Sequence, residues 1–109
     1  MTRLDQIQRM AALGVTPSFF SAHTYYWGDR HAAIFMGPER AANMSPARWA
    51  LDAGVRFSSH LDTPVTPMLP LQAIWSQVNR ESTSGVVIGP NQRIDRRAAL
   101  RAVTIDAAW

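Results

Sequence analysis

A helix-type segment, a glycine and a β-prone run occur in that order twice in this chain. In the first copy, Leu4, Ile7, Met10 and Ala11 fall at helical spacing and Gly14 closes the segment. The run Val15 to Ser21, rich in Val, Thr and Phe, follows as a strand. In the second copy, Ser45 is placed as an N-cap and Pro46 as the first helical residue. Gly54 closes that helix, and Val55 to Ser59 follows as a strand. Gly14 and Gly54 stand 40 residues apart. Helices joined to strands by short links imply parallel strands with helices laid against them. Two such strands cannot bury both faces of a parallel sheet unaided. A (β/α)8 barrel takes about 250 residues, so a chain of 109 residues supplies two or three of its units. The expected fold class is therefore α/β, as a partial barrel.

The other segments fit around this pair. His23 to Ser45 reads as a long irregular stretch holding Tyr25, Tyr26, Trp27, Gly37 and Pro38. Long ordered loops in compact domains are usually lids or binding loops. Pro70 opens a helix with Leu71, Ile74, Trp75 and Val78 on one face. Ser82 to Gln92 reads as a loop, and Asp95 caps a last helix through Ala99, Leu100 and Val103. Pro17 sits inside the first strand, where its missing N–H must face a bulge or an unpaired position.

Composition excludes several classes. The apolar share of 47% suits a globular chain, and no apolar run approaches the roughly 20 residues of a membrane helix. With no cysteine, any metal must be held by His and carboxylates. The net charge of +3 comes with arginine alone, since lysine is absent. Those arginines are scattered, apart from Arg93, Arg96, Arg97 and Arg101, and no aromatics are interleaved with them. A nucleic-acid module would cluster them on one face. The first ten residues are polar and helical in pattern rather than leader-like, so a cytoplasmic location is expected.

The chemistry concentrates in Val55 to Thr66, VRFSSHLDTPVT. If this stretch is extended, Val55, Phe57, Ser59 and Leu61 share one face and Arg56, Ser58, His60 and Asp62 the other. The first set suits packing under helices. The second suits the interior and mouth of a barrel and puts Asp62 at the C-terminal end of its strand, where barrel enzymes keep catalytic groups. A carboxylate there can hold a metal-bound water and accept its proton; equally, it can cap the turn before Pro64. His23 also lies just beyond a strand. From its spacing it could be a metal ligand, a substrate contact or a partly buried histidine. His31 has no chemical partner nearby in sequence. No glycine-rich phosphate loop and no nucleophile elbow occur.

The stretches LGVTPSFFSAHTYYWGDRH, GPERAANMSPARWALDAGVRFSSHLDTPVTPMLPLQAIW and ALRAVTIDAAW resemble, in that order, the C-terminal part of the amidohydrolase superfamily. More narrowly, they are similar to the family 3 amidohydrolases of the YtcJ-like group. The resemblance implies a (β/α)8 TIM barrel of the metal-dependent hydrolase type around a divalent metal, usually zinc. Such enzymes activate water to hydrolyse amide or related C–N bonds of a small molecule. It makes residues 1–109 the C-terminal fragment of that barrel domain, covering roughly strands seven and eight with their flanking helices. The family's ligands are a His-x-His after the first strand, a Lys or carboxylate on the fourth, a His on each of the fifth and sixth, and an Asp after the eighth. Asp62, within HLDTPV, matches the last of these, as metal ligand and general base. His23, Trp27 and His60 are expected at the substrate pocket. Leu61 stands where the family commonly has a small polar residue. The other ligands are not among these residues, so the isolated chain is expected to be inactive without the remaining strands. Two alternatives are a freestanding small α/β interaction protein and a basic RNA-binding module.

Overall fold

In the computed structural model, which describes residues 1–109, the two expected strands pair in parallel. Helix α1 (Leu4–Leu13) ends at Gly14 with φ 67°. Strand β1 (Ser18–Phe20) leads into α2 (Ala22–Arg30), which runs on as a π-helical segment, His31–Phe35. Short α3 (Pro38–Ala41) and α4 (Ala47–Asp52) precede β2 (Ser58–His60). Helix α5 (Pro70–Asn79), a 3-10 turn (Pro90–Gln92) and α6 (Arg96–Ala102) complete the chain. No helix is long and apolar enough to cross a membrane.

The register sets Ser18 against Ser58, Phe19 against Ser59 and Phe20 against His60. Both strands are shorter than the β-prone runs that contain them. Pro17 has no donor to give a ladder, and pairing begins where its carbonyl accepts from the Ser58 N–H at 3.0 Å. On the second strand, the Val55 N–H is taken by the Ala50 carbonyl at 2.8 Å, which closes α4 rather than extending the sheet.

The expected alternation holds through the paired residues. Val55, Phe57 and Phe19 are buried, with the Phe19 and Phe57 rings 5.3 Å apart. They meet Ile7, Ala50 and Ile94 in the main core. Ser21 and Ser59 join across that side by an Oγ–Oγ hydrogen bond of 2.7 Å. The opposite side carries Ser18, Phe20, Ser58 and His60, and His60 is exposed. Alternation does not extend to Asp62, whose φ of 56° takes it out of extended geometry.

Two local expectations need correcting. His23 to Ser45 is mostly helical, not irregular. Gly28 and the aromatic run around it gave the stretch a loop-like composition. Gly28 is nevertheless mid-helix, because a Cβ there would meet Ile88 Cγ1 at 3.0 Å. Glycine is thus needed for close packing rather than for a turn. Ser45 is not the N-cap of α4: Pro46 occupies that position, and Ser45 Oγ donates to the Phe20 carbonyl at 3.1 Å. The Asp95 cap is present, accepting from the Ala98 N–H at 2.9 Å.

A buried arginine ties two loop segments, 42–45 and the one at Ile88, to the end of α5. Arg80 is 2% exposed and donates to the carbonyls of Ile88 (2.8 Å), Met44 (2.9 Å), Ala42 and Ser45 (both 3.3 Å). Burial, reinforced by Arg93, pulls its pKa down to about 10, which leaves it charged at neutral pH. Peptide dipoles supply the compensation that a carboxylate would usually give. Gly89 lies against the same carbonyl of Ala42. Away from this, Leu71, Met68, Ile34 and Phe35 are 66–78% exposed, a large uncovered apolar area for so small a chain.

Candidate active-site mouth

The C-terminal ends of both strands open on one side, and the expected site residues gather there. His23 is the second residue of α2, three positions past the end of β1. Its ring packs edge-on against Phe20 (centroids 4.6 Å) and tilted against Trp27 (5.0 Å), which lies one turn further along the helix. Across the sheet, Phe20 stacks on His60 at 5.4 Å and 23°. Ser18 Oγ lies 2.8 Å from His60 Nδ1, so the side chain preceding the strand's end steadies the ring that follows it on the neighbouring strand. Phe20 is therefore the hub of the three expected pocket residues, and neither Phe20 nor Ser18 was singled out by spacing.

Asp62 follows β2 directly and is exposed. Its backbone carbonyl accepts from the Val65 N–H at 2.8 Å, and Thr66 Oγ1 donates to the Leu61 carbonyl. Those two bonds hold the turn, while the Asp62 carboxylate takes none of the turn's N–H groups. The carboxylate is thus left to interact with something other than its own loop, and the turn-capping alternative has no bond to support it.

His31 completes the group. Its Nε2 lies 3.0 Å from His23 Nδ1, and the rings are near-parallel (16°) with centroids 5.0 Å apart. At that spacing the nitrogens meet edge to edge rather than face to face. The i, i+8 separation is two helical turns, so the contact exists only because the helix continues through His31. Periodicity searches at i+3 and i+4 do not find it. Both rings line a cleft of about 260 Å3 with Ser18, Phe20, Met44 and Pro46.

The electrostatics link the group. Burial pushes the His23 pKa below its usual value, with His31 adding to the effect. The Asp62 carboxylate acts in the opposite direction and His60 lowers it slightly, so all three groups are close enough to be felt at the His23 ring. Burial alone lowers His31. A neutral imidazole pair beside an uncommitted carboxylate can donate and accept hydrogen bonds and take up one proton at Asp62.

These residues do not form a metal centre by themselves: no three His, Cys, Asp or Glu side chains are grouped to hold an ion. Asp62 alone offers a hard oxygen donor.

The sequence profile of the amidohydrolase family matches residues 1–109, the whole chain. The chain belongs to the amidohydrolase family. An N-substituted formamide deformylase from Arthrobacter pascens is 32% identical over 103 residues, covering 94% of this chain and 19% of that protein. The chain thus spans about a fifth of the length of this curated relative. No solved structure matches. Membership agrees with the resemblance carried by HLDTPV and the two flanking stretches, and it suggests a TIM-barrel-type fold, of which an α/β chain with one parallel strand pair is a compatible part.

Proposed function

We propose that this chain supplies the seventh and eighth strands of a metal-dependent amidohydrolase barrel that cleaves amide or related C–N bonds. The observation that carries the reading is the position of Asp62. It lies immediately past the C-terminal end of a parallel strand, exposed, with its carboxylate uncommitted and felt at the His23 ring across the mouth. Barrel enzymes hold their reacting groups at that end of the strands. The uncovered apolar surface at Leu71, Met68, Ile34 and Phe35 is where the remaining strands and helices of the barrel pack.

In this reading Asp62 is both a metal ligand and the general base. Asp62, with ligands from the rest of the barrel, would hold a divalent metal such as zinc, which when bound would supply Lewis-acid activation of water and of the substrate carbonyl. The Asp62 carboxylate accepts the proton of the attacking water and returns it to the leaving nitrogen. His23 and His60 present ring nitrogens to the substrate, while Trp27 and Phe20 form an apolar wall that excludes water. The substrate is a small amide-type molecule, in line with the name of the deformylase relative. The partner this chain requires is the remainder of the barrel; neither nucleic acid nor a membrane is involved, and the enzyme acts in the cytoplasm. Residues 1–109 alone are inactive, because one aspartate cannot hold a catalytic metal that needs about three protein ligands.

The test is Asp62→Asn in the assembled hydrolase. Loss of a general base typically lowers the rate by about 10²–10⁴, and the amide also weakens metal binding. Retention of full hydrolysis by the Asn variant would sink the assignment.

A further inference from the structure

His31 lies outside the roles above, yet its contact with His23 has a chemical consequence. We propose that His31 locks His23 in the Nε2–H tautomer, so that a neutral hydrogen-bond donor faces the mouth and meets the acceptor oxygen of an amide-type substrate. This deepens the hydrolase reading and rests on it for the identity of the ligand.

The two rings share one continuous helical run, and a single proton lies between His31 Nε2 and His23 Nδ1 at 3.0 Å. Two assignments are open. If His23 Nδ1 donates, neutral His31 must carry its own proton on Nδ1. That atom is sealed from solvent and has no partner, so the assignment buries an orphaned N–H. Buried donors without acceptors are rare in folded proteins and cost about 1–3 kcal/mol. If His31 Nε2 donates instead, its Nδ1 holds only a lone pair, a weaker demand. Neutral His23 then accepts at Nδ1 and keeps its proton on Nε2.

His23 Nε2 makes no bond within the protein and is not among the sealed atoms, and its ring lines the cleft. The ring cannot swing, because Phe20 and Trp27 hold two of its sides. A group fixed in this way offers one N–H at a constant position. It suits an uncharged oxygen acceptor, such as an amide or formyl carbonyl, next to an apolar substituent on Trp27. His31 is thus a positioning residue, acting only through His23, in the manner of the partners that fix imidazole tautomers elsewhere.

The experiment is long-range proton–nitrogen NMR on the chain with 15N-labelled histidine, which reads the protonated nitrogen of each ring. Wild type is expected to show His23 and His31 each as a single Nε2–H tautomer. In His31→Phe, His23 exchanges between tautomers. In His31→Gln, the side-chain amide nitrogen stands near the position of Nε2 and restores the single form. A His23 that carries its proton on Nδ1, or that averages freely in wild type, whether the chain is folded or not, overturns the lock. In the assembled hydrolase, His31→Phe raises KM by about two-fold, because exchange leaves the Nε2–H donor populated only part of the time, with kcat moved far less, and His31→Gln returns KM towards wild type. An unchanged KM in His31→Phe overturns the role in binding. A locked His23 in an assembled protein that hydrolyses no amide supports the lock and counts against the hydrolase reading instead.

Discussion

Gly89→Ala should be among the most damaging single-methyl changes in this chain, and its cost can be worked from the structure. A Cβ built at Gly89 falls 1.8 Å from the Ala42 carbonyl oxygen and 2.6 Å from its carbon. Both are backbone atoms, and that oxygen also accepts from Arg80 Nη2 at 3.3 Å. Relief therefore requires moving a main-chain segment that a buried arginine holds. Two effects add. The φ of 65° costs a non-glycine residue about 1–2 kcal/mol, and overpacking a fixed site adds about 1–3 kcal/mol. Gly14→Ala separates them, because its φ of 67° carries the same backbone cost with nothing within 4 Å. Thermal or urea unfolding followed by tryptophan fluorescence measures both variants. Near this chain length, 1 kcal/mol shifts Tm by about 4–8 °C. Gly14→Ala should lower Tm by about 5–15 °C, and Gly89→Ala by clearly more, or leave no cooperative transition at all. Equal losses in the two variants would refute the close approach of Gly89 to Ala42.

Other outcomes follow from the same structure. Arg80→Met leaves the Ile88, Met44 and Ala42 carbonyls without a donor, while Ser45 keeps the Ala47 N–H, and should destabilise by about 3–5 kcal/mol; a melting temperature near wild type would show those three carbonyls to be satisfied otherwise. Asp95→Ala removes the side-chain cap of α6 and should cost about 1 kcal/mol, read as a modest fall in urea midpoint. The depressed pKa of His23 means that the folded state binds its proton less readily than the unfolded state. That contribution to stability is present above the unfolded value near 6.5 and is lost as pH falls below it towards the folded value. The urea midpoint should therefore drop between about pH 7 and pH 5, and His23→Gln should flatten that drop; an unaltered pH profile in the variant would place its origin elsewhere.

Much of the frame was legible because its signals are local. Gly14 and Gly54 close helices in the left-handed region, Pro70 opens α5, and Asp95 caps α6, each by a mechanism that needs no knowledge of the rest of the fold. Parallel pairing followed from the order of elements, and the buried faces of Val55 and Phe57 from strand alternation. What escaped was set by contacts distant in sequence. Gly28 reads as a breaker until Ile88 is seen beside it. Ser45 reads as a cap until the Phe20 carbonyl claims its hydroxyl. Pro17 shortened the first strand because the missing donor is its own, whereas the second strand shortened because Ala50 took the Val55 N–H. At the mouth, the gathering of His23, Trp27 and His60 was expected from position, but the ring that joins them, Phe20, was not. His31 was passed over because two turns of helix separate it from the residue it meets.

The central claim is that Asp62 is one ligand of a metal centre completed by residues outside this chain. Zinc content measured on the purified, monomeric 109-residue chain after equilibration and gel filtration tests this most directly. The account predicts substoichiometric, easily stripped zinc, since the chain offers a single carboxylate and no grouped ligands. Stoichiometric zinc that survives a chelator would contradict it.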